Sequence, residues 1–301
     1  MSINTRDEHS DGSPTSGMTK SYKSPRSLFG IVMTALAGLC LAISLLPLFA
    51  VMLYVLGKGF SRLNLSLFTQ LPPAPGLEEG GIGNAILGTL IVVAIATLMS
   101  VPFGVLAAVY LSEFSSGKIT RWIRFATNVL AGVPSIIAGV FAYGIIVALT
   151  GQFSAIAGGV ALAVLMLPTI VRTTDEALQI VPQDIRWASV GVGASNYQTV
   201  LRIVLPAAVP AILTGVTLAI ARAAGETAPL IFTALNSPFW PNWPPQGLFE
   251  PIATLSVLVF QSATTFDKVQ NELAWAASLI LVVLILLTSV LARWATRKKV
   301  Y

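Results

Sequence analysis

The sequence predicts an all-α membrane protein with six transmembrane helices. Its 301 residues are 55% hydrophobic and only 10% charged, whereas an ordinary soluble domain carries about 25% charge. Apolar stretches long enough to cross the ~30 Å hydrocarbon core, which takes about 20 helical residues, recur along the chain. A transmembrane barrel would alternate apolar and polar positions in ~10-residue segments, and that pattern is absent.

Each element follows in order. Residues 1–26, rich in Ser, Thr, Gly and charge, read as a disordered cytoplasmic tail; residues 27–301 form the six-helix transmembrane domain. Leu28–Gly57 is uncharged and longer than a signal-peptide core of about 7–15 residues, so it reads as a retained first helix. Cys40 inside it is the one cysteine and has no intrachain disulfide partner. The outer loop 57–82, with Pro72-Pro73-Ala74-Pro75-Gly76 and Gly80-Gly81, is expected to be a stiff, irregular cap. Ile82–Ser112 supplies the second helix. Phe125–Val171 is uncharged for 47 residues, too long for one span, and Gly151-Gln152 divides it into helices three and four. Ile203–Leu235 is apolar except for Arg222 and Glu226 and supplies the fifth. The outer segment 236–272 follows, with Pro238, Trp240, Pro241, Trp243, Pro244 and Pro245. Proline excludes regular helix there, and tryptophan suits the headgroup interface. Within that segment Ile252–Ala263 is too short to span and reads as a re-entrant or interfacial helix. Leu273–Ala292 is the sixth helix.

Charge sets the topology. Fourteen of the 18 Lys and Arg residues flank one side: Arg6, Lys20, Lys23, Arg26; Lys118, Arg121, Arg124; Arg172, Arg186, Arg202; Arg293, Arg297, Lys298, Lys299. Lys58, Arg62 and Lys268 lie on the other side, and Arg222 lies within a span. The positive-inside rule then puts both termini in the cytoplasm. It also accounts for the net charge of +5 without nucleic acid as a partner. His9 is the one histidine and sits in the tail, so a His-based metal or triad site has no support. No phosphate loop is present, because Gly57-Lys58 and Gly117-Lys118 lack the upstream glycine and the following hydroxyl residue. No cofactor, metal or catalytic constellation is expected, and a nucleotide-driven process needs its nucleotide site on another chain.

The inner segment 173–204 is long without being low-complexity. Thr173-Thr174-Asp175-Glu176 looks like a capped helix start. Val181-Pro182 breaks it, a second helix runs from about Gln183, and Gly193 can supply a left-handed stop. Such a knob suits docking into a partner's groove; an amphipathic pair lying on the bilayer fits the spacing equally well.

Arg222 and Glu226 stand four residues apart, on one helix face if the helix continues. Arg222 lies about 26 Å along the helix from Leu205 at 1.5 Å per residue, in the outer half of the membrane. Charges at bilayer depth usually face a bundle interior or a wet path. A guanidinium can fork onto an oxyanion, and a nearby carboxylate competes for it and keeps binding weak enough for release. A structural ion pair pinning the fifth helix is the alternative. Arg172, at the inner end of the fourth helix, is either a third path residue or a topology-setting arginine.

The segment 187–206 resembles the permeases of bacterial ATP-binding-cassette importers, whose cytoplasmic loop reads Glu-Ala-Ala, three residues, Gly, nine residues, Ile, then Leu-Pro. Here the match is Trp187-Ala188-Ser189, Gly193, Ile203 and Leu205-Pro206, with Trp187 in place of the glutamate and Ser189 in place of the second alanine. The stretch Ala219–Phe232, above all Gly225-Glu226-Thr227-Ala228-Pro229, is similar to the A-type permeases of phosphate importers, as are Gly80–Thr89, Gly132–Ile136 and Leu167–Thr174. The resemblance covers residues about 27–296. It implies a type I importer fold and a permease subunit of an ATP-driven phosphate importer in the bacterial inner membrane. Its implied partners are a second permease subunit, a cytoplasmic ATPase dimer gripping the loop, an extracytoplasmic phosphate-binding protein and phosphate itself. It points to Arg222 and Glu226 as translocation residues. A permease for another oxyanion (phosphonate, sulfate or molybdate) and an ion-coupled secondary carrier are the rival readings.

Overall fold

The computed structural model describes residues 25–297, except residues 75, 76, 78, 116, 243 and 244. The tail up to residue 24, Pro75 and Gly76 of the outer loop, Trp243 and Pro244, and Lys298 and Lys299 lie outside the described residues. Among the described residues the secondary structure is helical, without strands. The chain divides into two compact units. The first ends at Leu53 and is described as the greater part of α1 (Pro25–Phe60), a helix with Pro47 inside it.

The second unit starts at Tyr54. Its first short helix, α2 (Leu65–Thr69), begins where Asn64 Oδ1 accepts the Leu67 N–H at 2.9 Å, an N-cap that satisfies one free donor of the first turn. α3 (Gly83–Val109) runs on into a π-turn, Tyr110–Phe114. α4 (Lys118–Ala131) and α5 (Ser135–Ala142) follow, then a π-turn at Tyr143–Val147 and α6 (Ala148–Thr150). Gly151, left-handed at φ 71°, turns the chain, and Ser154 Oγ caps α7 (Ala155–Gln179) through the Ala157 N–H. Then come α8 (Gln183–Gly191), α9 (Asn196–Thr199), a third π-turn at Val200–Val204, α10 (Leu205–Ala224), α11 (Ala228–Ile231), α12 (Leu255–Ala263) and α13 (Lys268–Arg297).

Five of the described helices are long and apolar enough to cross a membrane, and a sixth span forms if Lys118–Ala131 and Ser135–Thr150 count together. Those two segments meet at 101°, so the third helix expected from Phe125 is broken. Gly132 and Pro134 cause the break: Pro134 has ψ 137° and disfavours helix at the residue before it.

Two other elements differ from the sequence expectation. α7 continues through Arg172 to Gln179, so no helix starts at Thr173. No breaker lies between Pro168 and Val181, and Ile170, Thr174, Ala177 and Leu178 keep one buried face at helical spacing. α10 ends at Ala224 and not near Leu235, because Gly225 caps it and Pro229 has no N–H to carry the ladder on.

The core sits where α3, α7 and α10 pack together. α7 contributes Leu162, Met166, Ile170 and Leu178; α3 contributes Val92 and Ala96; α10 contributes Ala208, Ile212, Val216 and Ala219. In lipid, apolar burial gives little drive between helices, and close packing through small residues takes its place. The buried seam follows that rule, with Ala96, Gly104, Gly158, Ala161, Ala163 and Ala208 among its members.

Candidate functional site

The two charges in the fifth span lie at a break in the chain. Arg222 is in the last turn of α10; Gly225 caps the helix, its N–H on the Arg222 carbonyl at 3.1 Å. Glu226 lies past the helix end, tethered by its own N–H to the Ala223 carbonyl at 3.2 Å. α11 restarts two residues later with Pro229 in its first turn, where the missing donor costs nothing.

This break is held from outside. The Ser256 hydroxyl donates to the Glu226 carbonyl at 2.8 Å. The first turn of α12 is anchored in turn, because the Leu255 N–H donates to Thr89 Oγ1 on α3 at 2.9 Å. A Cβ on Gly88 would sit 1.9 Å from the Ala253 carbonyl oxygen, so only glycine lets α3 approach that strand of chain. Gly139 of α5 also meets the restart of the chain at Pro229, with room for no side chain: a Cβ there would lie 2.5 Å from Pro229 Cα. The signature stretch is thus clamped by α5 and α12.

The side chains sit asymmetrically. Arg222 Nε lies 3.5 Å from Glu226 Oε1, and the side-chain exposures are 57% and 17%. The carboxylate is partly withdrawn while the guanidinium faces outward. Among the described residues the Arg222 guanidinium donates no side-chain hydrogen bond, and Glu226 approaches it only loosely. That leaves two parallel N–H donors free for a tetrahedral oxyanion, while the loose contact at Nε keeps the cation partly neutralised.

Arg172 is not brought to this pair. Its neighbour Thr173 packs against Gly215, seven residues before Arg222 on α10, or about 10 Å along the axis. Arg172 Nε bonds Glu176 Oε1 at 2.9 Å with both side chains more than half exposed. It shares a cavity of about 460 Å³ with Arg124, Asp175 and Glu176, and Arg124 bonds Asp175 at 2.9 Å.

The seven loop residues singled out in the sequence divide by exposure. Trp187, Ala188 and Gly193 are exposed on α8 and the turn after it, and Pro206 is exposed at the start of α10. Gly193 is left-handed at φ 90°, a conformation that suits glycine. Ser189 faces inward, its hydroxyl 2.9 Å from that of Thr199, and so staples α8 to α9. Ile203 and Leu205 are half-buried where the third π-turn runs into α10. Ser195 closes a capping box with Gln198. The knob is therefore a built element with an exposed outer face.

The sequence reading passed over three positions. Thr89 and Ser256, the anchors of the break, look like ordinary small polar residues in apolar runs. Glu113 is the first charge after the uncharged Ile82–Ser112 run, and that signal could have flagged it. It forms an ion pair with Arg186 in which both side chains are largely buried.

Residues 100–301 match the family described as "Binding-protein-dependent transport system inner membrane component". Among curated proteins, the chain is 41% identical to the phosphate transport system permease protein PstA of Yersinia pestis, over 80% of this chain and 81% of that protein. It is 40% identical to the PstA of Haemophilus influenzae, over 87% and 92%. Among solved structures, it resembles a bacterial alginate ABC transporter in complex with an alginate-bound periplasmic protein (TM-score 0.64, 14% identity, 91% of this chain and 96% of that one). It also resembles the inward-facing MetNI methionine ABC transporter (TM-score 0.59, 20% identity, 72% and 97%). At those identities the structures establish the fold.

Proposed function

The chain belongs to the binding-protein-dependent transport system inner membrane components, and from that premise we propose that it is the transmembrane permease subunit of an ATP-driven phosphate importer. It is a transport subunit and not an enzyme; hydrolysis belongs to a separate ATPase. The observation that carries the substrate assignment is the exposed guanidinium of Arg222, in loose contact at Nε with a largely buried Glu226 at a break in the span. Relatives at about 40% identity named for phosphate transport support the same reading.

In this reading a second permease subunit completes the path beside the exposed face of Arg222. The basic end faces the cytoplasm, with both termini. The ATPase dimer takes the exposed knob around Trp187, Ala188 and Gly193, and a phosphate-binding protein docks on the opposite end. Phosphate meets Arg222 through two N–H···O bonds. Glu226 competes for the same cation, so the ion is held briefly and passes on, as conduction requires. Arg172 and Arg124 line the exit and draw the anion out.

Uptake of radiolabelled phosphate by proteoliposomes holding the assembled complex tests this. ATP-dependent accumulation of phosphate in preference to sulfate and molybdate is the expected result. Accumulation of either rival anion at the same rate, or uptake without the ATPase, overturns it.

A further inference from the structure

A second charged constellation lies at the basic end, away from Arg222. Arg186 on α8 forms an ion pair with Glu113, which sits in the π-turn that ends α3; their side chains keep 15% and 7% of their surface exposed. Arg186 also donates from Nη2 to the Leu178 carbonyl of α7 at 2.7 Å. One residue along, the Phe114 ring packs on Tyr197 of α9, with centroids 6.4 Å apart. Both helices of the knob are thereby joined to the inner end of α3. A buried pair of this kind is a poor source of net stability, because desolvation offsets attraction, yet losing one partner strands a charge. Its most informative property is that it fixes geometry.

α3 leads from that joint to the site. Its other end holds Thr89 and Gly88 against residues 253–255, and the next residue, Ser256, holds the Glu226 carbonyl. Knob, α3, α12 and the break at Glu226 form one unbroken set of contacts.

We propose that Glu113 and Arg186 are the positioning pair through which movement of the knob reaches the Arg222–Glu226 break, with α3 as the rod between them. The inference rests on the reading of the chain as an ATP-coupled permease. Contiguity alone does not demonstrate coupling, so the test measures coupling directly.

The assembled complex, with its ATPase and binding protein, is reconstituted in a Cys40→Ser, Phe232→Cys background. Phe232 directly follows α11 and is exposed, and the labelling rate of the new thiol by a maleimide is read with and without ATP and vanadate. Trapping is expected to change that rate roughly tenfold, within the ordinary range of allosteric coupling. Glu113→Gln and Arg186→Gln should each remove most of the change while the complex still assembles and hydrolyses ATP, and the exchange Glu113→Arg with Arg186→Glu should restore part of it. An undiminished response in the single variants, an exchange no better than either, or a parent without any response overturns the proposal. If the single variants fail to assemble, Phe114→Ala and Tyr197→Ala probe the same joint, and a full response in both counts against it. Phosphate uptake is measured in the same vesicles. A normal labelling response without phosphate uptake overturns the substrate reading and leaves the joint standing.

Discussion

The Ser256 hydroxyl donates to the Glu226 backbone carbonyl at 2.8 Å, from the first turn of a nine-residue helix. This single bond ties the carboxylate that faces Arg222 to an element anchored on α3. Ser256→Ala removes a bond of about 1 kcal/mol. Phosphate uptake should fall about fivefold at unchanged assembly, since about 1.4 kcal/mol corresponds to tenfold, and Ser256→Thr should retain most of it. Wild-type uptake by the alanine variant would detach α12 from the site.

Arg222 and Glu226 should respond in opposite ways. Hydrogen bonds to charged groups contribute about 1.5–3 kcal/mol, so Arg222→Gln should lower phosphate uptake roughly 10- to 150-fold while copurification with the ATPase persists. Arg222→Lys, which keeps the charge but not the planar fork, should fall between. Glu226→Gln removes the competitor, so phosphate should be held longer, with a lower KM and a slower maximal rate. A raised KM in that variant would mean that Glu226 does not compete for the guanidinium.

Gly88 tests the clamp. Alanine there places a methyl 1.9 Å from the Ala253 carbonyl oxygen, and relief requires backbone movement. Overpacking of this kind costs about 1–3 kcal/mol, so thermal unfolding of the purified complex should begin at a lower temperature than in the parent. Gly144→Ala is the control, since nothing lies within 4 Å of a Cβ there. Equal melting of the two variants would show that α3 need not approach residue 253 so closely.

At Gly193 a Cβ would meet nothing within 4 Å, so Gly193→Asp acts first through the strain of a backbone at φ 90°. A left-handed non-glycine residue costs about 1–2 kcal/mol. The turn between α8 and α9 should reshape, and ATP hydrolysis should continue while uptake per ATP falls. Full coupling in this variant would remove the knob's geometry from the mechanism.

The positions of the long spans were legible because apolar length is a property of composition and needs no partner. α1, α3, α7 and α13 each cover an expected stretch. The pairing of Arg222 with Glu226 was legible too, but for an incomplete reason. Four-residue spacing brings the side chains together on a continuous helix, and here it does so across a helix end. What the sequence hides are contacts between distant segments: Glu113 with Arg186, Thr89 with Leu255, Ser256 with Glu226. Thr89 and Ser256 are small polar residues that neither spacing nor hydropathy marks, and the charge of Glu113 after an uncharged run marks the residue without naming its partner. The break at Gly132–Pro134 was in plain view as residues, but an uncharged run masked its effect on direction.

The π-turn at Tyr110–Phe114 has a consequence for how this chain can vary. A wide turn lodges one more residue than an ordinary helix would, and each residue rotates the chain by about 100°. Deleting one residue there would swing the Glu113 carboxylate round the helix axis and away from the α8 guanidinium, with no change in composition or hydropathy. The segment works as a phase setting, so its length, more than its side chains, decides which way the end of α3 points.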